Sequence, residues 1–184
     1  MIENKDRSGY IGASDTSYVV GNWNTKSFKK WWLVKLGLSE SDYTNKAMMA
    51  GNVYEHKISD ALGLEGKKDG QVIMEDLKLR VNFDFETSDT IYEIKTYRSD
   101  KEFKVSKQYW RQAQVEMFAR KKKLIIVSYP LSEEEYSNYF LEVNPARIKK
   151  HPIKYDKKFI ENEYLPKLKI LADYLRRASC RERV

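Results

Sequence analysis

Two rhythms of hydrophobic and polar positions run through the chain. Val81, Phe83 and Phe85 alternate with Asn82, Asp84 and Glu86, which predicts a strand with one face to a core and one to solvent. Ser88, Asp89 and Thr90 supply turn chemistry. Ile91-Tyr92-Glu93-Ile94-Lys95 then predicts a second strand, with Ile91, Glu93 and Lys95 on one side. Gln71–Glu75 and Lys78–Phe85 predict strands leading into this hairpin, and Leu124–Tyr129 a buried strand partnered by Asn138–Val143, with the acidic stretch SEEEYS as a loop between them. The second rhythm is helical. Ser14 predicts an N-cap for a helix through Val20, ended by Gly21 and Asn22. Lys26–Leu36 predicts a helix burying Phe28, Trp31, Trp32 and Leu36, and Ser39–Asn45 a loop. The next helix runs to about Leu62 and closes at Gly63. Its apolar members are Met48, Val53, Ile58, Ala61 and Leu62, with Gly51, Glu55 and Ser59 sharing another face. Ser106–Arg120 carries Trp110, Ala113 and Met117 at i, i+3 and i+7, and beside them a polar stripe of Tyr109, Gln112 and Glu116. Pro152–Lys158 reads as a basic linker before a last helix with Leu168, Leu171, Ala172 and Leu175, and Pro166 near its start.

Composition narrows this picture to one globular domain spanning residues 1–184, large enough to bury a real core. No run of 18 apolar residues occurs, and MIENKDRSGY lacks an apolar signal core, so the expectation is a cytoplasmic protein without a membrane role. Cys180, the single cysteine, rules out an internal disulfide framework and any Cys-ligated zinc or iron–sulfur site. Histidine is limited to His56 and His151, which leaves little for a Ser-His or Cys-His nucleophile; His56 reads as a surface or packing residue with no ligand role. There is no Gly-rich phosphate loop, internal repeat or low-complexity tract. The net charge of +7 is uneven: residues 145–184 hold 12 Lys/Arg against 5 Asp/Glu, and the remainder balances at 22 of each sign. A basic C-terminal segment of this kind points toward a polyanion.

The hairpin carries the candidate chemistry. Its geometry brings Asp84 near Glu93 and Lys95, and two carboxylates beside an ammonium suit a hard cation such as Mg²⁺. Asp84 and Glu93 could hold the ion, and Lys95 could orient an attacking water or neutralise charge on a phosphate. Taken alone, the motif reads first as a hairpin with a solvated charged face. RSGYIGAS sets Arg7 upstream of a capped helix at Ser14, a combination that suits a phosphate group or is simply a capped helix with a surface arginine.

Taken in order, a helix with Glu, a strand with Asp, a strand with Glu-x-Lys and a helix with Tyr-x-x-Gln resemble the PD-(D/E)XK nuclease superfamily. More narrowly the chain is similar to the phage lambda exonuclease and YqaJ-type viral recombinase family. RSGYIGAS resembles the family's R-x-G-x-I-x-A-S segment, which implies that Arg7 and Ser14 bind a 5′-phosphate. GNVYEHK resembles its G-x-x-Y-E helix, which implies a metal-site role for Glu55. Asp84, Glu93 and Lys95 match the core Asp and E-x-K, which implies the Ile94 carbonyl as a further metal ligand, and YWRQAQVEM is similar to the family's Y-x-x-Q-x-Q helix, which implies an active-site place for Tyr109 and Gln112. Phe85 stands where the family usually has Gly after the Asp. The resemblance implies an α/β fold with a central mixed sheet of about five strands flanked by helices, a restriction-endonuclease-like core. It implies a Mg²⁺-dependent nuclease, with Mn²⁺ able to substitute and one or two ions acting. The expected activity is 5′-to-3′ degradation of double-stranded DNA ends for phage-type recombination, in the host cytoplasm if the chain is phage-encoded. A single-strand annealing protein and a homo-oligomeric ring trimer are the implied partners. A restriction-like or structure-specific endonuclease, and a non-catalytic DNA-binding protein of the same fold, remain as alternatives.

Overall fold

The structure, a computed structural model, describes residues 8–40 and 46–181. Its helices are α1 (Thr16–Val20), α2 (Lys26–Lys35), α3 (Lys46–Ala61), α4 (Lys107–Arg120), α5 (Glu133–Ser137) and α6 (Leu165–Arg181). Its strands are β1 (Lys67–Met74), β2 (Leu79–Glu86), β3 (Thr90–Arg98), β4 (Lys123–Leu131) and β5 (Lys149–Ile153). They form one mixed sheet in the order β1-β2-β3-β4-β5, in which only β3 and β4 run parallel. That parallel pair needs a crossover, which α4 supplies. The fold is α/β with a mixed five-stranded sheet, as the resemblance implies.

Alternation along β3 and β4 sends side chains into two cores, one on each face. Ile91, Leu124 and Ile126 meet Ala113, Val115 and Met117 of α4 and Leu168, Leu171 and Leu175 of α6. Tyr92, Ile94, Val127 and Tyr129 meet Ala50, Tyr54 and Ile58 of α3. The helix bearing Glu55 and the helix bearing Gln112 therefore approach the same strand from opposite faces.

Five expectations are corrected. Asn138–Val143 is not a strand; β4 pairs instead with β5, through Ile126 opposite His151 and Ser128 opposite Lys149. This edge strand, KKHPI, is basic and proline-bearing, the composition that protects a sheet edge, and its last two residues, Pro152 and Ile153, are the start of the stretch expected to be a linker. The acidic stretch is no loop: Ser132 Oγ accepts the Glu135 N–H while the Glu135 carboxylate accepts the Ser132 N–H, a capping box that starts α5. In α3 the buried stripe is Ala50, Tyr54 and Ile58, whereas Met48 and Val53 face outward at 40% and 39% exposure. Ser14 does not cap a helix. The Gly12 N–H donates to Asp15 Oδ2 at 2.8 Å, a 3-10 turn Ala13–Asp15 precedes α1, and Ser14 is exposed.

Candidate active site

Strands β2 and β3 stay paired over a short length only, Phe85 opposite Tyr92 and Glu86 opposite Ile91. Beyond these residues β2 remains bonded to β1 and β3 to β4, so a gap opens between them. Leu79, Val81 and Phe83 enter the larger core and Phe85 the smaller one, so β2 changes core at Asp84. Asp84 Oδ2 accepts the Ile94 N–H at 2.7 Å, in place of the missing ladder bond. The N–H and C=O of one strand residue point to the same side, so the Ile94 carbonyl also faces the gap.

Glu93 and Lys95 share a side of β3, as the period of two predicts. Lys95 Nζ lies 2.5 Å from Glu93 Oε1 and 5.2 Å from the centre of the Tyr109 ring. Gln112 Nε2 donates to the same Glu93 oxygen at 2.6 Å. Tyr109 and Gln112 reach the site because Ser106 caps α4, accepting the Tyr109 N–H, and the helix then presents its polar stripe to β3. Gly51 lets α3 come close from the other face: a Cβ there would lie 3.3 Å from Thr96 Oγ1. One helical turn on, Glu55 lines the resulting cavity of about 350 Å³ together with Asp84, Glu93, Ile94 and Lys95.

The carboxyl groups outnumber the cations here, and their proton affinities respond. Asp84 is held well above the usual carboxylate range by burial and by the neighbouring Glu93 and Glu55, against the opposing pull of Lys95. Glu55 is raised by burial and by Glu93 and Asp69. Burial alone would lower Lys95, but the charges of Glu93 and Asp84 outweigh it and raise the ammonium above its ordinary value. Lys95 thus carries its charge at neutral pH.

All the predicted members of the hairpin and of α4 therefore converge with Glu55. Arg7 lies outside the described residues. Ser14 is exposed on a segment that crosses the start of β2, where the Arg80 N–H donates to the Ile11 carbonyl at 2.9 Å. Four residues of strand separate that crossing from Asp84, or ~13 Å.

Three further groups stand beside the site without having been assigned to it. Lys68 opposite Phe85 and Gly70 opposite Phe83 set Asp69 across from Asp84, with Asp69 itself in the left-handed region at φ 52°. His56 Nε2 sits 3.1 Å from Asp69 Oδ2, and Glu55, His56 and Asp69 bring ligand-type atoms within 4.8 Å of one another. Only the β1–β2 register reveals Asp69. Glu116 is fully buried against Gln112 at 2.8 Å. Its signal was visible: it is the third member of a helical polar stripe aimed at a sheet.

The fold and this gap define a class, an α/β protein whose mixed sheet opens at an acidic cleft beside a lysine. No protein-family model matches the chain, and no curated protein matches it by sequence. Solved structures that share the fold include the following two. An alkaline exonuclease, LHK-Exo from Laribacter hongkongensis, superposes with a TM-score of 0.65 over 96% of each chain at 18% identity. The protein SSO0001 superposes with a TM-score of 0.51 over 95% of this chain and 77% of its own, at 15% identity. Among the described residues no helix is long and apolar enough to cross a membrane.

Proposed function

We propose that the protein is a divalent-cation-dependent deoxyribonuclease, and within that class a 5′-to-3′ exonuclease acting on double-stranded DNA ends in phage-type recombination. One observation carries this reading: Asp84, Glu93, Glu55 and Lys95 converge on a gap in the sheet that also exposes a backbone carbonyl. Negative charge there exceeds what one lysine balances, and the donors are hard oxygens without a thiolate, the set that fits Mg²⁺, with Mn²⁺ as a substitute. Asp84, Glu93 and the Ile94 carbonyl would hold one ion, and Glu55 a second ion or its water. When bound, such an ion acidifies water and stabilises charge on a phosphate.

The chain's own residues do the rest. Lys95, fixed by Glu93 Oε1 and the Tyr109 ring, presents a permanent positive charge to the nucleophile or the scissile phosphate. Gln112 holds Glu93 in place. Arg7 and Ser14 take the terminal 5′-phosphate, and the basic C-terminal segment adds backbone affinity that falls as salt rises. The likeness to an alkaline exonuclease over 96% of the chain supports this reading.

Digestion of linear duplexes with and without a 5′-phosphate, beside a covalently closed circle, in Mg²⁺ and in EDTA, tests it. The expected result is Mg²⁺-dependent loss of the 5′-phosphorylated linear duplex with the circle intact. Cleavage of the circle would instead identify an endonuclease, and binding without turnover a non-catalytic DNA-binding protein.

A further inference from the structure

Of the three groups beside the site that have no role in that reading, Glu116 is the one wholly shut off from solvent. Its side chain has no solvent exposure, and the residues beside it on α4, Ala113, Val115 and Met117, are buried hydrophobics. An apolar side chain would leave no bare carboxyl oxygen there, whereas the carboxyl leaves Oε2 with no hydrogen-bond partner. A buried polar atom left bare opposes folding, so its presence calls for another explanation.

The geometry around Gln112 supplies one. A carboxamide nitrogen carries two hydrogens, and Gln112 Nε2 spends one on Glu93 Oε1 at 2.6 Å and the other on Glu116 Oε1 at 2.8 Å. Glu93 Oε1 also receives Lys95 Nζ at 2.5 Å. Among the described residues no donor reaches Glu93 Oε2. We propose that Glu116 is a positioning residue: by accepting one N–H of Gln112 it commits the other to Glu93 Oε1, and so leaves Glu93 Oε2 turned toward the gap. Without Glu116 the amide is free to rotate and offer its oxygen to Glu93, a repulsive arrangement that would swing the carboxylate away. Glu116 itself touches neither the ion nor the substrate. The inference deepens the nuclease reading and rests on it for the ion's place at Glu93.

Glu116→Met keeps the length of the side chain and removes the acceptor, while Glu116→Gln keeps a carbonyl oxygen for the same bond. Glu116→Met is expected to weaken Mn²⁺ affinity about tenfold by calorimetry and to lower kcat about tenfold with KM for duplex DNA unchanged. Its thermal stability in EDTA should be equal or higher, which a merely structural role would not allow. Glu116→Gln should restore both affinity and kcat to within about twofold. Gln112→Met should match Glu116→Met, and the double variant should be no worse than either. Wild-type Mn²⁺ affinity in Glu116→Met, equal impairment of Glu116→Gln, or additive losses in the double variant would each overturn the proposal. If the wild type binds Mn²⁺ in this pattern but hydrolyses no DNA, the positioning role survives and the nuclease reading fails.

Discussion

Two carboxylates on one strand, two residues apart, meet opposite fates. Glu86 is 5% exposed and takes hydrogen bonds from Arg120 at 2.7 and 2.9 Å and from Lys122 at 2.8 Å. Those bonds, that of Arg120 first, outweigh burial and hold its carboxyl below the usual range. Asp84 has a backbone N–H, one nearby lysine and the crowding of Glu93 and Glu55, and is pushed the other way. The strand is the same and both side chains are largely buried; the count of neighbouring cations differs. Glu86 is neutralised from within and serves the fold. The Asp84 cluster keeps a surplus of buried negative charge, which costs several kcal/mol unless an outside cation balances it.

The largest expected contrast is in turnover. Asp84→Asn and Lys95→Ala should each lower kcat by about 10³-fold, the scale of losing a charged group at a developing transition-state charge. Glu86→Gln should leave kcat within about threefold. Steady-state hydrolysis of a 5′-phosphorylated duplex makes the measurement, and equal losses at both positions would erase the distinction.

Next in size is stabilisation by the ion. At a hundredfold excess over its dissociation constant, a ligand that binds only the native state contributes about 2.7 kcal/mol. For a chain of this length each kcal/mol raises Tm by roughly 2–4 °C. Mg²⁺ or Mn²⁺ should therefore raise the wild-type Tm by several degrees and leave Asp84→Asn unmoved. Glu86→Gln should gain as much as wild type. Scanning fluorimetry with and without EDTA decides it.

Third, the two positions should differ in the sign of their effect on the ion-free protein. Glu86→Gln strips two cations of their partner. Because Arg120 is 40% exposed the loss is partly screened, and about 1–2 kcal/mol of destabilisation is expected. Asp84→Asn removes surplus negative charge and keeps an acceptor for the Ile94 N–H, so a gain on the order of 1 kcal/mol is expected. Urea unfolding in EDTA measures both, and a destabilised Asp84→Asn would show that its charge is already balanced.

What could be read in advance follows the range of the interactions. Glu93 and Lys95 were legible because strand alternation puts them on one side, and Asp84 because a hairpin turn returns it to them. Tyr109 and Gln112 were legible through helical spacing, and Glu55 through its place in a motif. Asp69 was not, since only the β1–β2 register sets it against Asp84. The α3 stripe differs from the expected one because the buried ring is that of Tyr54, whose hydroxyl donates to the Asn138 carbonyl, while the apolar Val53 and Met48 face outward. The partner of β4 was missed because an edge strand needs little hydrophobicity, so KKHPI carries none of the pattern that marks a central one.

The smallest effect is a slope in pH, and it separates the two carboxylates most directly. Burial, followed by the charge of Glu93, raises Asp84 and Glu116 in the folded state, and burial raises Glu55. A raised carboxyl contributes stability in full below its unfolded value of about 4, and that contribution is lost as pH rises through the folded value. Glu86 is lowered, so its contribution is present above its unfolded value and lost as pH falls through the folded one. The ion-free protein should therefore lose stability as pH climbs out of the carboxylate range. Asp84→Asn should flatten that decline, and Glu86→Gln should leave it intact while removing part of the loss at the acid end. Saturating Mg²⁺ should abolish the decline in wild type, because the ion replaces the protons that the cluster otherwise retains. Urea unfolding across a pH series in EDTA and in Mg²⁺ makes the test: a decline unchanged by both Mg²⁺ and Asp84→Asn would locate the surplus charge elsewhere in the molecule.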